Sequence, residues 1–409
     1  MSPVPEAVIV STARSPIGRA AKGSLVDMRP DDLAAQMVRA ALDKVPALDP
    51  RDLDDLIMGC GQPGGEAGFN IARVVSVMLG YDWLPGVTVN RYCSSSLQTT
   101  RMAFHAIKAG EGHAFVSAGV ETVSRFPRGT SDSWPDTRNA EFNSARERCD
   151  AAAADGAGSW HDPRDDGQLP DVYIAMGQTA ENVALATGIS REDQDHWGVR
   201  SQNRAEEAIA SGFFAREISP VTLPDGSVVS TDDGPRAGTT YEKVSQLQPV
   251  FRPDGTVTAG NACPLNDGAA AVVVMSDTRA KELGLTPLAR IVSTGVSGLS
   301  PEIMGLGPID AVTNALRLAK MTVADIDLFE INEAFAVQVL GSARELGIDE
   351  DKLNVSGGAI ALGHPFGMTG ARITATLLNN LSTYDKTFGV ETMCVGGGQG
   401  MAMVLERLS

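Results

Sequence analysis

Four short stretches recur in the same order in the two halves of the chain, and this recurrence limits the fold more than any other feature. Ile9-Val10-Ser11-Thr12 returns as Ile291-Val292-Ser293-Thr294. A helical apolar spacing after Asp32 (Leu33, Met37, Val38, Ala41, Leu42) returns after Asp310 (Val312, Ala315, Leu316, Leu318, Ala319). Asp52-Leu53-Asp54 is matched by Asp325-Ile326-Asp327, and the strand pattern ending at Val89 by Asn354-Val355. Each match alone is weak, but the shared order predicts two copies of one βαβ-type domain related by a pseudo-twofold axis.

Within the first copy, strands are expected at Ala7–Ser11, Val87–Asn90 and Ala114–Gly119. Helices are expected at Phe69–Leu79 and Cys93–Ala109. Strands alternating with helices predict a parallel sheet covered on both faces. The predicted division is a first domain of residues 1–122 plus 249–275, an inserted region of 123–248, and a second domain of 276–409. The insertion is rich in Arg, Asp, Pro and Ser, with helices expected at Met176–Ala186 and Gln194–Ala210. Residues 125–170 read either as a functional or oligomerising element or as a solvated excursion.

With 409 residues, two or three domains are expected. A net charge of −17 argues against nucleic acid or an anionic membrane as partner, although a local basic patch could still hold an anionic small molecule. The five cysteines are widely spaced and form no CxxC, so free thiols in a reducing compartment are expected, with no metal site. No basic, apolar leader and no run long enough to span a bilayer is visible, which predicts a cytoplasmic protein.

The chemistry is concentrated at strand ends. Cys93 follows the Gly86–Val89 run and opens a helix, where unpaired N–H groups favour a thiolate. A buried cysteine acting as a small hydrophobe is the alternative. Gly357-Gly358-Ala359-Ile360-Ala361-Leu362-Gly363-His364-Pro365 holds the corresponding place in the second copy, so pseudo-symmetry brings His364 towards Cys93. A buried structural histidine is the other reading. Cys394-Val395-Gly396-Gly397-Gly398 allows several N–H groups to converge as an oxyanion hole does. Asn332 begins a helix, as a polar site residue or as its N-cap. A Cys–His pair suits acyl transfer through a thioester, and a second cysteine adds the proton transfer needed to make or break a carbon–carbon bond.

The stretch Val89-Asn90-Arg91-Tyr92-Cys93-Ser94-Ser95-Ser96-Leu97-Gln98 resembles the nucleophile motif of thiolases. Asn332-Glu333-Ala334-Phe335-Ala336, the His364 stretch and the Cys394 stretch resemble the family's other motifs in the family's order, across essentially the whole chain. The resemblance implies a five-layered αβαβα fold of duplicated domains with an inserted loop domain that binds coenzyme A, assembled as a homodimer or homotetramer. It implies thiolytic cleavage of a 3-ketoacyl-CoA, or acetoacetyl-CoA synthesis in reverse, with coenzyme A and acyl-CoA as substrates and no cofactor. A non-catalytic coenzyme A-binding subunit is the third reading.

On this sequence the resemblance makes Cys93 the acylated nucleophile, His364 its activator and Cys394 the α-carbon acid or base. His364 with a water on Asn332 would form one oxyanion hole, and the N–H groups of Cys93 and Gly396 the other. Met176, Phe251, Ala259, Ala334 and Phe335 would line the pantetheine and acyl channel, with Arg236 near the nucleotide. Ser96 stands where glycine is common, which predicts a tighter turn. Ala175 replaces a histidine frequent in short-chain biosynthetic members, favouring a broad degradative enzyme. Cys263 stands where serine is usual, adding a third thiol.

Overall fold

The computed structural model describes residues 4–132, 134, 136–156 and 158–409; residues 133, 135 and 157 of the long 125–170 stretch lie outside the described residues. The first half lays down Ala7–Arg14 (β1), Pro30–Asp43 (α1), Asp55–Gly59 (β2), Ile71–Met78 (α2), Gly86–Val89 (β3), Ser95–Ala109 (α3) and Ala114–Thr122 (β4). Asn143–Asp155 (α4), Met176–Thr187 (α5) and Arg191–Ala210 (α6) lie in the insertion, and Asn266–Ser276 (β5) follows it. The second half runs Ala289–Gly298 (β6), Gly307–Ala319 (α7), Leu328–Ile331 (β7), Ala336–Leu346 (α8), Thr369–Thr383 (α9), Phe388–Val395 (β8) and Gln399–Arg407 (β9).

Strand order is β3-β2-β4-β5-β1 in the first half and β7-β8-β9-β6 in the second. The halves join where β1 and β6 pair antiparallel at Val8–Arg290 and Ile9–Ala289. The place of β3 is taken in the second half by a single parallel bridge, Phe329–Leu353. The repeat extends to side-chain bonds. The Ser11 hydroxyl donates to Ala41 O at 2.7 Å, and that of Ser293 to Ala315 O at 2.7 Å. Asp54 accepts the N–H groups that open β4, as Asp327 accepts those that open β8.

The expected all-parallel sheet is mixed. β2 lies parallel to β3 and β4, and β7 to β8, each reached through a crossover helix. β5 is antiparallel to β4 and β1, and β9 to β8 and β6. The reason is connectivity. Thr122, at the end of β4, pairs with Asp267 at the start of β5, so the whole insertion is the loop of one very wide hairpin. The β8–β9 link is a three-glycine turn, too short for a parallel return.

Alternation along the strands separates three cores. On β5, Val272 and Val274 face a central core, while Ala271, Val273 and Met275 face an outer one. On β9, Met401 and Met403 face the same central core, and Ala402 and Val404 a second outer one. The central core holds Leu97 and Ile107 of α3 with Ile373 and Leu377 of α9. The outer cores hold α1 with α2, and α7 with α8. The layers are therefore αβαβα.

The two central helices meet at their first turns. A Cβ on Gly370 would lie 2.2 Å from the Leu97 nitrogen, so only glycine permits the approach. Ser96 does not tighten the turn. It lies inside α3, where its hydroxyl accepts the Ala371 N–H at 2.9 Å. Gly370→Ala should cost about 1–3 kcal/mol by overpacking, read as a lowered urea midpoint. An unchanged midpoint would mean that the helices can move apart freely.

Candidate active site

Cys93 sits in a single turn, Tyr92–Ser94, between β3 and α3. The turn is pinned by its own polar residues. Asn90 Oδ1 accepts the Tyr92 N–H at 2.8 Å, and Ser95 Oγ accepts from Arg91 N and donates to Tyr92 O. Tyr92 is forced to φ +41°, an uncommon conformation for a bulky residue. The N–H groups of Gly396 and of Cys93 itself reach the sulfur. They do not produce the thiolate expected from the helix end. Burial of the sulfur outweighs them and pushes the thiol up to about 11.

His364 is buried, and its N–H donates to Asn266 Oδ1 at 3.0 Å. Its Nδ1 lies 2.6 Å from Thr369 Oγ1, and that hydroxyl donates its one proton to Pro365 O at 2.8 Å. The hydroxyl must therefore accept from the ring, which puts the imidazole proton on Nδ1 and leaves Nε2 as a bare acceptor. Nε2 is buried with no protein partner. Burial, followed by the charge of Arg372, pulls the imidazole down to about 3. Thiol and imidazole are both neutral at rest.

Asn332 follows β7 directly, held by its N–H to Thr392 O at 3.0 Å. It is not an N-cap: α8 begins four residues later at Ala336, and both amide atoms of the Asn332 side chain are buried without partners. Cys394, fully buried near the end of β8, lies close enough to Cys93 and Cys263 for their charges to raise its pKa further, after burial itself has raised it well above the usual thiol range. Gly396 follows β8 in the turn to β9. Cys263 is half-buried, bonded by its N–H to Ala334 O at 3.1 Å and pushed up to about 12 by burial.

The remaining expected residues form two groups. Ala262 bridges Phe335, and the Phe251 ring meets the Phe335 ring edge-on at 6.3 Å, so Phe251, Cys263, Ala334 and Phe335 share one wall. Ala259, exposed, lies on the same segment. Arg236 stands elsewhere, its N–H on Gln202 and Arg19 near enough to lower its pKa beside partial desolvation. Met176, the first residue of α5, joins Cys93, Gly396 and Phe366 in lining a cavity of about 970 Å³. His364, Asn332 and Cys394 are buried and are not part of that lining. Among the described residues no three His, Cys, Asp or Glu side chains cluster as metal ligands.

Three supporting residues escaped the sequence reading. Thr369 had one legible signal, a hydroxyl five residues after a histidine at a helix start. Glu121 is buried and accepts N–H groups from Gly61, Gln62 and Gly367, so it ties the end of β2 to the His364 loop. Glu333 accepts from Trp197, Ser201, Asn354 and Ile360, locking the Asn332 loop to α6.

With a thiol near 11 and an imidazole neutral down to about 3, alkylation of Cys93 in the free protein should follow thiolate fraction alone. Its iodoacetamide rate, followed by peptide mapping, should climb about tenfold per pH unit between about pH 7 and about pH 9. A plateau near neutrality would show a preformed thiolate–imidazolium pair instead.

Residues 7–278 match the family model "Thiolase, N-terminal domain", and residues 285–407 match "Thiolase, C-terminal domain". The 3-ketoacyl-CoA thiolase of Bacillus subtilis (strain 168) is 43% identical over 414 residues, covering 98% of this chain and 99% of its own. The acetyl-CoA acetyltransferase of Escherichia coli (strain K12) is 43% identical over 417 residues, covering 98% and 99%. Human mitochondrial 3-ketoacyl-CoA thiolase in complex with CoA superimposes with a TM-score of 0.84 at 35% identity, covering 99% of each chain. The duplicated αβαβα fold, the four motifs and these matches agree: the chain belongs to the thiolase family.

Proposed function

We propose that this chain is an acyl-CoA:acetyl-CoA C-acyltransferase that cleaves 3-ketoacyl-CoA by a ping-pong route through an acyl-Cys93 thioester. The observation that carries this reading is the Nε2 of His364, buried and without a protein partner just ahead of α9, with Cys93 just ahead of α3, whose first turn packs on that of α9. Nε2 takes the Cys93 proton as the sulfur attacks the 3-keto carbon. The oxyanion that forms is received by the N–H groups of Cys93 and Gly396.

Breaking the α–β carbon bond then leaves acetyl-CoA as its enolate. That enolate oxygen faces His364 and a water on the Asn332 amide, and Cys394 supplies the proton to carbon. A thiol held far above the usual range keeps its proton until a base as strong as an enolate appears. The proton held on His364 then resets the Cys394 thiolate; free coenzyme A attacks the acyl-Cys93 carbonyl, its thiol proton passes to the vacated Nε2, and the departing Cys93 sulfur takes that proton as the shortened acyl-CoA leaves. No cofactor enters these steps.

In this reading 123–248 is a loop domain that binds coenzyme A between the domains of 1–122 plus 249–275 and of 276–409. Phe251, Ala259, Cys263, Ala334 and Phe335 line the pantetheine wall, and Arg236 meets a phosphate. The human mitochondrial relative in complex with CoA supports coenzyme A binding by this chain. Among the described residues no helix is long and apolar enough to cross a membrane. We assign the protein to the cytoplasm as a homodimer or homotetramer. Condensation of two acetyl-CoA is the same chemistry reversed, and the Escherichia coli relative bears that name. The cavity at Cys93, at about 970 Å³, far exceeds an acetyl group and favours cleavage of larger chains.

Intact-protein mass spectrometry after mixing with acetoacetyl-CoA should show an acetyl adduct mapping to Cys93. An adduct on Cys263 or Cys394 would overturn the assignment. Cys394→Ser should still be acylated yet lose exchange of the acetyl-CoA α-protons with deuterated water; equal loss of acylation would refute the division of labour. Thr369→Val removes the acceptor that fixes the imidazole, a change of about 1–3 kcal/mol, so kcat should fall roughly ten- to a hundredfold. Thr369→Ser should restore it, and a Val variant with unchanged kcat and pH profile would reduce Thr369 to packing.

A further inference from the structure

Two N–H groups reach the Cys93 sulfur, and they come from opposite halves of the chain. That of Cys93 belongs to the turn locked onto α3, whereas that of Gly396 belongs to the three-glycine turn between β8 and β9. Glycine has the widest backbone freedom of any residue, so an N–H in such a turn keeps one direction only where the turn is held from outside. At its base, Val395 pairs with Gln399. On its far side, the Leu299 N–H donates to Gly398 O at 2.8 Å, and a Cβ on Gly398 would lie 2.2 Å from Leu299 O. The Gly396 carbonyl is held by a side chain, with Gln399 Nε2 donating to it at 3.4 Å.

Gln399 is held in turn by Arg91, whose Nη1 donates to Gln399 Oε1 at 2.9 Å. A guanidinium only donates, so the amide oxygen must face Arg91 and the amide nitrogen must face Gly396 O. Arg91 stands just ahead of the nucleophile turn and its backbone is tied into it. Its N–H donates to Ser95 Oγ at 2.9 Å, and its carbonyl accepts the Ser94 N–H at 3.0 Å. The Tyr92 ring closes the junction, 3.5 Å from where a Gly396 Cβ would stand. Arginine is a costly filler here, because it is half-buried and burial alone acts on its pKa, with no acid to offset it. What it contributes is a charge-assisted hydrogen bond, stronger than a neutral one. Resting on the reading of Cys93 as the acylated nucleophile, we infer that Arg91 and Gln399 are positioning residues for acyl transfer. They form a two-step link that sets the Gly396 N–H against the Cys93 N–H so that both meet the same oxyanion. The α-proton step, which uses Cys394 with His364 and Asn332, makes no use of the Gly396 N–H and lies outside the link's reach.

The test measures both steps in Arg91→Met, Gln399→Met, the double variant and Arg91→Lys. Single-turnover acylation of Cys93 by acetoacetyl-CoA should slow about ten- to a hundredfold in each Met variant, with the steady-state KM staying within about threefold of wild type. The double variant should be no slower than the slower single, because either change breaks the same link. Arg91→Lys should recover part of the rate by keeping a charged donor. Exchange of the acetyl-CoA α-protons with deuterated water, followed on enzyme already acetylated, should run at the wild-type rate in every variant. Wild-type acylation in either Met variant, or losses that multiply in the double variant, overturns the inference, while acylation of wild-type Cys93 still upholds the thiolase reading. Equal loss of acylation and exchange reduces the pair to packing at the seam and overturns it as well. No acylation of the wild-type protein overturns both.

Discussion

The contact between the first turns of α3 and α9 is the constraint on which the site depends. Gly370 lets the α9 backbone rest on Leu97, and Ser96 receives the Ala371 N–H across the junction. Gly119 admits the Gly367 carbonyl in the same way, an added Cβ there lying 2.0 Å from that oxygen. Because the helices meet at their N-terminal ends, the residues just before each helix must also meet. Before α3 comes Cys93; before α9 comes His364, and α9 opens on Thr369. The positive ends of two helix dipoles thus converge where negative charge will appear on sulfur and on oxygen.

Burial sets how that charge is handled. A thiol near 11 and an imidazole near 3 cannot form an ion pair at rest, so no charge is stored in the dry site. Charge arises only as bonds change, when the N–H groups of Cys93 and Gly396 are already in place and need no rearrangement. The same burial would be ruinous without firm supports, since a free imidazole would turn towards any buried donor. Asn266 prevents this by fixing the His364 backbone, and Thr369, itself tied to Pro365 O, by holding Nδ1 of the ring.

The duplication was legible because its markers are backbone necessities. Ser11 and Ser293, and Asp54 and Asp327, each tie a strand to the same neighbour in its own half, so the same residue type was kept in both. Cys93, His364 and Cys394 were legible because glycine and strand patterns surround them. Strand direction was not, because β5 is an apolar run buried on both faces, which reads alike in either direction. Glu121 and Glu333 were missed because a buried acid looks like any other acid in a sequence. Only the fold shows that their partners come from segments 21 to 246 residues away. Asn332 was misplaced next to a helix that starts later, since its free amide has no sequence signature.

The two copies have diverged by chemistry rather than by shape. In the proposed mechanism the first half contributes the nucleophile Cys93 and its turn, and the second contributes Asn332, the base His364, the second thiol Cys394 and Gly396. Neither half holds a full set, which makes the β1–β6 seam and the α3–α9 contact part of the site as much as of the core. The insertion leaves and rejoins the first half at one paired rung, Thr122–Asp267. A segment that leaves and returns at neighbouring strand ends can change its length without disturbing strand order in either half. The reacting atoms of the proposed mechanism are therefore held by the duplicated frame, while residues of the insertion, Arg138, Asn143 and Arg146 among them, line the cavity at Cys93.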